Sequence, residues 1–379
     1  MAPIATQTQT QTIPSEQFHA LKLRGPSPPS DDTPGRSRLT EPLKYQGSLD
    51  KFQHFEVTPS IGREFGSDLQ LLDLINAPNA DELARELAAL VSRRGVCFFR
   101  GQNISGADML RLAAKISEMS GQPKDSGHVV HPIGNEVSEL SSDNKPKTME
   151  ISAEKQRKGG GINRRFEDVS RWASVAWHSD VSFERVPADY SILKINTLPQ
   201  MGGDTLWINT ADILDRMSPS FREYLETLTC EHDANFFHEE ARKLGISLNK
   251  GPRGNPLNVD TSFKASHPVV RTNPVTGWKS LFVNRGFSRR IEGVTKDESD
   301  MIMDYINRIC MMNIDCQVRF RWEKGSIALW DNRSSWHTAT FDYTEERSGE
   351  RASTLGEVPY FDPKSKLRSE SLLEEGLRV

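Results

Sequence analysis

The chain has 379 residues, of which 36% are hydrophobic and 26% are charged, with a formal net charge of −4. This length is enough for one large or two ordinary domains, and the composition predicts a soluble globular protein. The small net charge and a pI of about 6.2 give no electrostatic basis for binding nucleic acid or an anionic membrane surface.

The sequence also lacks the signals of membrane insertion and secretion. No apolar run approaches the ~20 residues that a membrane-spanning helix needs, and the N-terminus has no apolar signal segment. The four cysteines are not arranged in C-x-x-C pairs, so neither a zinc site nor a disulfide framework is indicated. We therefore expect a reduced protein in the cytoplasm.

Residues 1–45 are predicted to form a disordered tail. They contain a Thr-Gln repeat at residues 6–12 and a run rich in Pro, Ser and Asp at residues 26–34. Such a segment buries too little apolar area to offset the entropy lost on ordering. We expect a single folded domain to occupy residues 46–379.

Local patterns predict several helices and short strands along this domain. Helices are expected after Asn79, Ser105, Ser218 and Thr295, where a capping residue precedes apolar positions at helical spacing. Strands are predicted at residues 96–99, 190–195, 317–322, 326–330 and 353–358.

A polar stretch at residues 141–163 interrupts the domain. A loop of ~20 residues inside a compact domain is unusual and often covers a site. Its composition fits a lid and an idle insertion equally well, so both interpretations stay open.

The sequence His178-Ser179-Asp180 offers two potential metal ligands. On an extended segment the imidazole and the carboxylate point to the same side, because side chains alternate faces with period two. His337, which follows the strand at residues 326–330, could complete the two-His-one-carboxylate set that holds non-haem Fe(II) with open positions. An H-x-D motif arises often by chance in a chain with nine histidines. Whether this one is a metal site therefore depends on the other motifs in the sequence.

Three further residues could bind anions. Thr205 follows the Gly202-Gly203 turn and opens a strand with a hydroxyl that can donate to an anion. Arg347 and Arg351 lie four residues apart beyond His337. A guanidinium presents a planar fork that fits a carboxylate or a sulfonate in a bidentate manner.

Together these motifs resemble the taurine dioxygenase family of Fe(II)/2-oxoglutarate-dependent oxygenases. The resemblance is carried by His178-x-Asp180, Gly202-Gly203-Asp204-Thr205, Trp330-Asp331-Asn332-Arg333 with His337, and Arg347 with Arg351. Residues 267–277 and 281–287 are similar to a stretch typical of the sulfonate-using branch, the fungal-type alkylsulfonate dioxygenases. The likeness covers roughly residues 55–362.

The resemblance implies a role for each matching residue. His178, Asp180 and His337 match the iron ligands, and Thr205 and Arg347 match the pair that holds the distal carboxylate of 2-oxoglutarate. The matches to substrate-binding groups are Arg351, the backbone of Val181 and, in a differing context, His131 before Pro132. No catalytic residue beyond the metal centre is implied.

The fold implied by the resemblance is mainly β with flanking helices, a double-stranded β-helix of the jelly-roll, cupin-like kind. The implied cofactors are Fe(II), 2-oxoglutarate and O2. The implied reaction hydroxylates an alkyl- or arylsulfonate beside its sulfur, which releases sulfite and an aldehyde together with succinate and CO2. The expected partner is a small anionic substrate, with no nucleic acid and no membrane; whether the chain forms a homo-oligomer stays open.

Two other functions remain as alternatives. A tailoring oxygenase with the same chemistry could act on a carboxylate, such as an amino acid or a secondary metabolite, because a carboxylate satisfies Arg351 as well as a sulfonate does; sulfite release separates the two. The fold could instead serve as a catalytically silent binding module, which substrate-dependent formation of succinate would exclude.

Overall fold

The computed structural model describes residues 35–133, 148–152 and 176–377. The strands are β1 (His54–Glu56), β2 (Arg63–Phe65), β3 (Val96–Phe99), β4 (Met149–Ser152), β5 (Ala188–Thr197), β6 (Thr205–Asn209), β7 (Thr229–Asp233), β8 (Lys264–Pro268), β9 (Val270–Thr272), β10 (Lys279–Leu281), β11 (Ser288–Ile291), β12 (Gln317–Phe320), β13 (Ile327–Asp331), β14 (Ser335–Ala339) and β15 (Ser348–Leu355). The helices are α1 (Leu71–Asn76), α2 (Ala80–Arg94), α3 (Gly106–Met119), α4 (Thr210–Asp215), α5 (Pro219–Leu225), α6 (Phe236–Leu244), α7 (Lys296–Met312) and α8 (Arg368–Glu374).

Two sheets form the centre of the molecule. The larger has seven strands in the order β1-β2-β3-β13-β5-β15-β4, antiparallel except between β2 and β3, and the smaller has the order β12-β6-β14. Two further small sheets, β11-β7-β8 and β10-β9, lie outside this pair. The predicted fold is confirmed: the chain is mainly β, with two sheets facing each other in a double-stranded β-helix and helices outside them.

A cluster of apolar side chains fills the space between the two sheets and is called the inter-sheet cluster below. On β13, Ala328 and Trp330 point into it, whereas Ile327 and Leu329 point outward and pack against α1, α2 and α3. This division follows from the period-two alternation of a strand that is buried on both faces. The inter-sheet cluster consists of Ile61, Val96, Phe98, Leu193, Ile195, Trp207, Val318, Phe320, Trp322, Ala328 and Trp330.

The outer face of the smaller sheet is covered as well. Ile208 of β6 and Trp336 of β14 point away from the inter-sheet cluster and pack with apolar residues of α4, α5 and α7 and with Leu367, which precedes α8. Their chain neighbours Trp207 and His337 therefore point to the interior of the double-stranded β-helix.

The helix starts predicted from the sequence are confirmed. The hydroxyl of Ser105 accepts a hydrogen bond from the backbone N–H of Asp108, and Thr295 with Glu298 forms a complete capping box at α7. α5 begins with Pro219, although the hydroxyl of Ser218 makes no capping bond. Asn79 likewise precedes α2 without a side-chain capping bond. The two capped starts depend on contacts within one turn, which a sequence pattern can represent.

The structure differs from expectation at the H-x-D segment. It is no regular strand: His178 makes a single β-bridge with His337, and Asp180 begins a turn in which Val181 has φ 45°. A positive φ is rare for a β-branched residue, so local propensity would not have predicted this turn. The side chains of His178 and Asp180 are therefore positioned by the β-bridge to His337 and by the turn that begins at Asp180, not by a regular strand.

Two predicted segments extend differently from their expected bounds. Residues 35–45 of the expected tail pack against the domain, where Leu43 is buried and its N–H donates to the Val275 carbonyl at 2.8 Å; residues 1–34 lie outside the described residues. Within the polar stretch at residues 141–163, β4 pairs with β15, and the remainder apart from Thr148 lies outside the described residues. β15 begins at Ser348, before the predicted start at residue 353, so Arg351 lies on a strand.

In the described part of the chain, every helix is too short or too polar to cross a membrane.

Candidate functional site

The β-bridge between His178 and His337 forms the base of the candidate site. The N–H of each residue donates to the carbonyl of the other, at 3.0 Å and 2.8 Å. β14 itself is held against β6, where His337 is paired with Trp207. Both histidines are thereby fixed to the smaller sheet, and their rings lie 4.2 Å apart between centroids.

Asp180 completes a potential metal-binding group. Its Oδ1 lies 3.6 Å from Nε2 of His178 and 3.8 Å from Nε2 of His337. One ligand atom from each residue lies within 4.8 Å of the others. Two ligands bound at right angles about 2.1 Å from one ion are separated by roughly 3 Å, so a small adjustment of the side chains is enough for the three residues to hold one ion.

The protonation states of the two histidines suit metal binding. Nδ1 of His178 lies 2.8 Å from the carbonyl of Ala176, which fixes the proton on Nδ1 and leaves the lone pair of Nε2 available. Burial, and then the neighbouring His178, lower the pKa of His337 well below its usual value. His337 is therefore neutral near pH 7, as a metal ligand must be.

The carboxylate of Asp180 is ionised in spite of its burial. Burial alone would raise the pKa of Asp180, but the charge of Arg351, with contributions from His337 and His178, holds that pKa well below its usual range. Arg351 Nη1 donates to Oδ1 at 2.8 Å, and the hydroxyl of Ser191 donates to Oδ2 at 2.7 Å. Two imidazoles and one carboxylate are the donor set typical of non-haem Fe(II) sites, so the residues present fit that ion.

A second group of residues is organised around Arg347. Its side chain is 2% exposed, and among the described residues no carboxylate lies within 4 Å of its guanidinium. Nε donates to the Gly203 carbonyl at 2.8 Å, and Nη2 lies 3.5 Å from the hydroxyl of Thr205, which also accepts from Trp322 Nε1 at 3.0 Å. The nearby Asp204 carboxylate acts on Arg347 electrostatically but pairs directly with Arg319. A buried cation with no directly bonded anion is stabilised when a ligand supplies one, so this group fits the distal carboxylate of 2-oxoglutarate.

The absence of a side chain at Gly203 makes room for the side chain of Arg347. A Cβ at Gly203 would lie 2.8 Å from Cδ of Arg347, and the residue has φ 69°. Any other residue would both strain the backbone and displace the arginine. The Gly202-Gly203 turn recognised in the sequence therefore positions the arginine as well as the strand that starts at Thr205.

The three residues expected to bind substrate lie near the triad. Arg351 bonds Asp180 directly, and its charge, after burial, contributes to lowering the pKa of His131 to about 4. The ring of His131 packs edge-on against Phe237 with centroids 5.1 Å apart. Val181 is buried and directly follows Asp180 in the turn, where it has φ 45°. Arg351 and His131 thus lie close enough to Asp180 to act on each other electrostatically, and Val181 follows Asp180 in the chain.

Sequence reasoning missed several residues that shape the site. Gly286 donates its N–H to the Trp177 carbonyl at 2.9 Å, and a Cβ there would lie only 2.9 Å from Cβ of His178. The ring of Phe287 contacts His178 edge-on with centroids 5.8 Å apart. Both residues belong to the segment 281–287 singled out for its resemblance, but no pattern in it shows that it touches His178.

A separate cavity of about 950 Å³ lies between α5 and α7. Trp177, the chain neighbour of His178, contributes to its wall, but the potential metal ligands, Thr205, Arg347 and Arg351 do not line it. Its other lining residues include Phe221, Arg285, Met301, Tyr305 and Arg308.

Comparisons with known proteins identify the family of this chain. The family described as taurine catabolism dioxygenase TauD, TfdA family matches residues 53–353. An alpha-ketoglutarate-dependent dioxygenase of Penicillium shearii is 36% identical, over 89% of this chain and 98% of its own, and an alpha-ketoglutarate-dependent sulfonate dioxygenase of Saccharomyces cerevisiae is 30% identical, over 82% and 68%.

A solved structure supports the same assignment. The crystal structure of a taurine dioxygenase from Burkholderia xenovorans superimposes with a TM-score of 0.61 and 25% identity, covering 83% of this chain and 92% of that one. The family match spans most of the chain and agrees with the double-stranded β-helix. The chain therefore belongs to the TauD/TfdA family and is a 2-oxoglutarate-dependent dioxygenase.

Proposed function

We propose that this dioxygenase binds Fe(II) through His178, Asp180 and His337 and hydroxylates a small anionic substrate, an alkyl- or arylsulfonate. The observation that carries the substrate class is the position of Arg351. Its guanidinium is largely buried and donates to the Asp180 oxygen that faces both imidazoles. An anion bound by the same guanidinium would have its adjacent carbon next to the metal.

The chain's own residues bind and orient the reactants. Arg347 and Thr205 would hold the distal carboxylate of 2-oxoglutarate, and His178, Asp180 and His337 would hold the iron. Bound Fe(II) with 2-oxoglutarate and O2 supplies the oxidation, with succinate and CO2 as products. Arg351 would orient the anionic group, with the backbone at Val181 and the ring of His131 beside it.

In an alkylsulfonate, hydroxylation of the carbon beside sulfur gives an unstable adduct. The C–S bond then breaks, the sulfur group leaves as sulfite with the bonding electrons, and the hydroxylated carbon becomes an aldehyde. The identity to a yeast protein named as a sulfonate dioxygenase supports this substrate class.

A carboxylate is the second candidate substrate. The guanidinium fork of Arg351 fits a carboxylate equally well, and the 36% identical relative from Penicillium shearii is named without a substrate. Hydroxylation of the carbon next to a carboxylate group releases no sulfite. Sulfite release therefore distinguishes the two candidate substrate classes.

The decisive experiment incubates the Fe(II)-loaded protein with 2-oxoglutarate, O2 and a panel of sulfonates and carboxylates, and measures succinate and sulfite in parallel. We expect at least one sulfonate to give succinate and sulfite in equal amounts. His178→Ala, which removes one proposed iron ligand, should give neither product and sets the background.

Succinate stimulated only by carboxylates, without sulfite, would replace the sulfonate proposal with the second candidate. Substrate-dependent turnover by His178→Ala would contradict the proposed iron site.

A further inference from the structure

We infer that Asn332 is a positioning residue that limits Asp180 to a single metal-binding oxygen, and that it acts through the hydroxyl of Ser191. The inference rests on the proposed metal centre but not on the identity of the substrate. Asn332 lies in the turn between β13 and β14 and is 1% exposed. It touches neither imidazole and would not contact the metal.

The orientation of the Asn332 amide is fixed by two donors. Trp330 Nε1 lies 3.0 Å from one side-chain atom of Asn332, and the backbone N–H of Asp180 lies 3.1 Å from the same atom. Both groups can only donate, so this atom must be the oxygen Oδ1. The Nδ2 amide group therefore faces the opposite way, 3.0 Å from Ser191 Oγ and 3.3 Å from the Asp189 carbonyl.

This amide in turn fixes the proton of Ser191. The Ser191 hydroxyl has one proton and three polar neighbours: Asn332 Nδ2 at 3.0 Å, Ser353 Oγ at 2.8 Å and Asp180 Oδ2 at 2.7 Å. The Nδ2 group cannot accept, and the Asp180 carboxylate cannot donate. The stable arrangement sends the Ser191 proton to Oδ2, with Asn332 and Ser353 both donating to Ser191.

The consequence for Asp180 is that its two oxygens are no longer equivalent. Oδ2 is bound by Ser191, which lies on β5 and is fully buried. Oδ1 faces the two imidazoles at 3.6 Å and 3.8 Å and keeps a lone pair beside the Arg351 bond. A carboxylate held in this way binds a metal through one oxygen, which leaves a coordination position that a bidentate carboxylate would occupy.

Asn332 also holds the backbone that carries Asp180. Its carbonyl accepts from the hydroxyl of Ser179 at 2.8 Å, and its own N–H donates to the Asp189 carbonyl at 2.7 Å. The H-x-D turn is thus tied to β5 and to the β13–β14 turn by one residue. Because the whole network is buried, water cannot replace a lost member.

The test measures the affinity of the protein for Mn(II) alone, by calorimetric titration of wild type, Asn332→Leu, Ser191→Ala and the double variant. Each single substitution should weaken Mn(II) binding about 10- to 100-fold, as loss of a partner of a metal ligand typically does. Because Asn332 acts through Ser191, the double variant should bind Mn(II) about as weakly as Asn332→Leu.

Asn258→Leu is the matched control. Asn258 is also 1% exposed, and its amide bonds the N–H and the carbonyl of Val186 at 2.9 Å and 2.8 Å without touching a metal ligand. This substitution should lower the Tm while leaving the Mn(II) affinity unchanged. A merely structural role of Asn332 would give the same pattern in Asn332→Leu.

The possible results distinguish a failure of the inference about Asn332 from a failure of the proposed metal centre. Failure of the wild type to bind Mn(II) would overturn the metal centre itself. If the wild type binds Mn(II) and Ser191→Ala binds it with the same affinity, the inference is wrong. This comparison remains decisive even if Asn332→Leu does not fold. Additive losses in the double variant would show that Asn332 does not act through Ser191.

Discussion

Arg347 illustrates how a single residue can indicate a ligand. Burial lowers the pKa of its guanidinium, because a charge removed from water is destabilised. It bonds the Gly203 carbonyl and Tyr343 and lies 3.5 Å from the Thr205 hydroxyl, while the carboxylate of Asp204, itself paired with Arg319, acts on it only from a distance. Among the described residues, the side chain therefore gains a directly bonded charge partner only when an anion binds.

We expect Arg347→Met to raise the dissociation constant of 2-oxoglutarate about 10- to 100-fold. Hydrogen bonds to a charged partner contribute about 1.5–3 kcal/mol, and each 1.4 kcal/mol is a factor of about ten. Calorimetric titration of 2-oxoglutarate into the Mn(II)-loaded protein measures this constant.

Arg319→Met is the matched control for that measurement. Arg319 is a half-exposed arginine that pairs with Asp204 and Asp342 beside the same glycine turn. Its substitution should leave 2-oxoglutarate binding nearly unchanged. Equal effects of the two substitutions would show that Arg347 has no special role.

At the scale of elements, α7 shows how local signals and tertiary packing combine. The sequence predicts its start at Thr295, and the structure confirms the capping box with Glu298. The helix then buries Ile302, Ile306 and Cys310 against the outer face of the smaller sheet. The cap sets where the helix begins, and the apolar face holds it in place.

We expect Thr295→Ala to lower the free energy of unfolding by about 1 kcal/mol, because the backbone N–H of Glu298 at the start of α7 loses the hydroxyl that accepts its hydrogen bond. Urea unfolding measures this change, and the affinity for 2-oxoglutarate should stay as in the wild type.

Ser218→Ala provides the comparison at another helix start. Ser218 precedes α5 in the same position, but its hydroxyl makes no capping bond. The loss of stability should therefore be clearly smaller than in Thr295→Ala. A loss of equal size would mean that the capping bonds of Thr295 contribute little.

The H-x-D segment shows where element prediction from local pattern ends. An extended strand was expected there, yet the chain turns at Val181 with a positive φ. The turn is held by partners distant in sequence, among them the bridge to His337 and the bonds to Asn332. No local pattern contains these partners, so the conformation could not be predicted from the segment itself.

At the scale of the whole molecule, several ionisable groups lie deep in the fold. His267 on β8 is 2% exposed, with Nε2 bonded to the Glu184 carbonyl at 2.9 Å and its ring 5.2 Å from that of His232. Burial, and then the charge of Arg271, lower the pKa of His267 to about 3. The folded protein therefore keeps this ring neutral.

This pKa predicts how stability depends on pH. In the unfolded chain this histidine takes up a proton near pH 6.5, whereas in the folded protein His267 stays neutral. The stabilisation that the folded state has from neutral His267 is therefore fully present above pH 6.5 and is lost as the pH falls below it. We expect this residue to reduce the free energy of unfolding by about 2 kcal/mol between pH 7 and pH 5. Urea unfolding at both pH values measures the change.

His267→Gln should remove that part of the pH dependence, because glutamine can still donate to the Glu184 carbonyl but does not titrate. His238→Gln is the control, since His238 is exposed and its ring also bonds a carbonyl, that of Thr261. The same loss of stability between pH 7 and pH 5 in wild type and His267→Gln would refute the prediction.

The sequence by itself determined the local features of this protein. Helix caps, strand alternation and the Gly202-Gly203 turn act through neighbouring residues, and the ordered motifs around His178, His337 and Arg347 were enough to recognise the family. Each of these signals is complete within a short segment or in a set of such segments.

Only the tertiary structure decided how these segments meet. Thr205 and Arg347 are 142 residues apart, Asp180 and Asn332 are 152 apart, and both pairs lie in contact because the two sheets face each other. The contacts of Gly286 with His178, the orientation of the Asn332 amide and the buried charge of Arg347 all depend on this packing. Hydrogen bonds and burial are properties of neighbours in space, and a single sequence does not specify which distant residues those are.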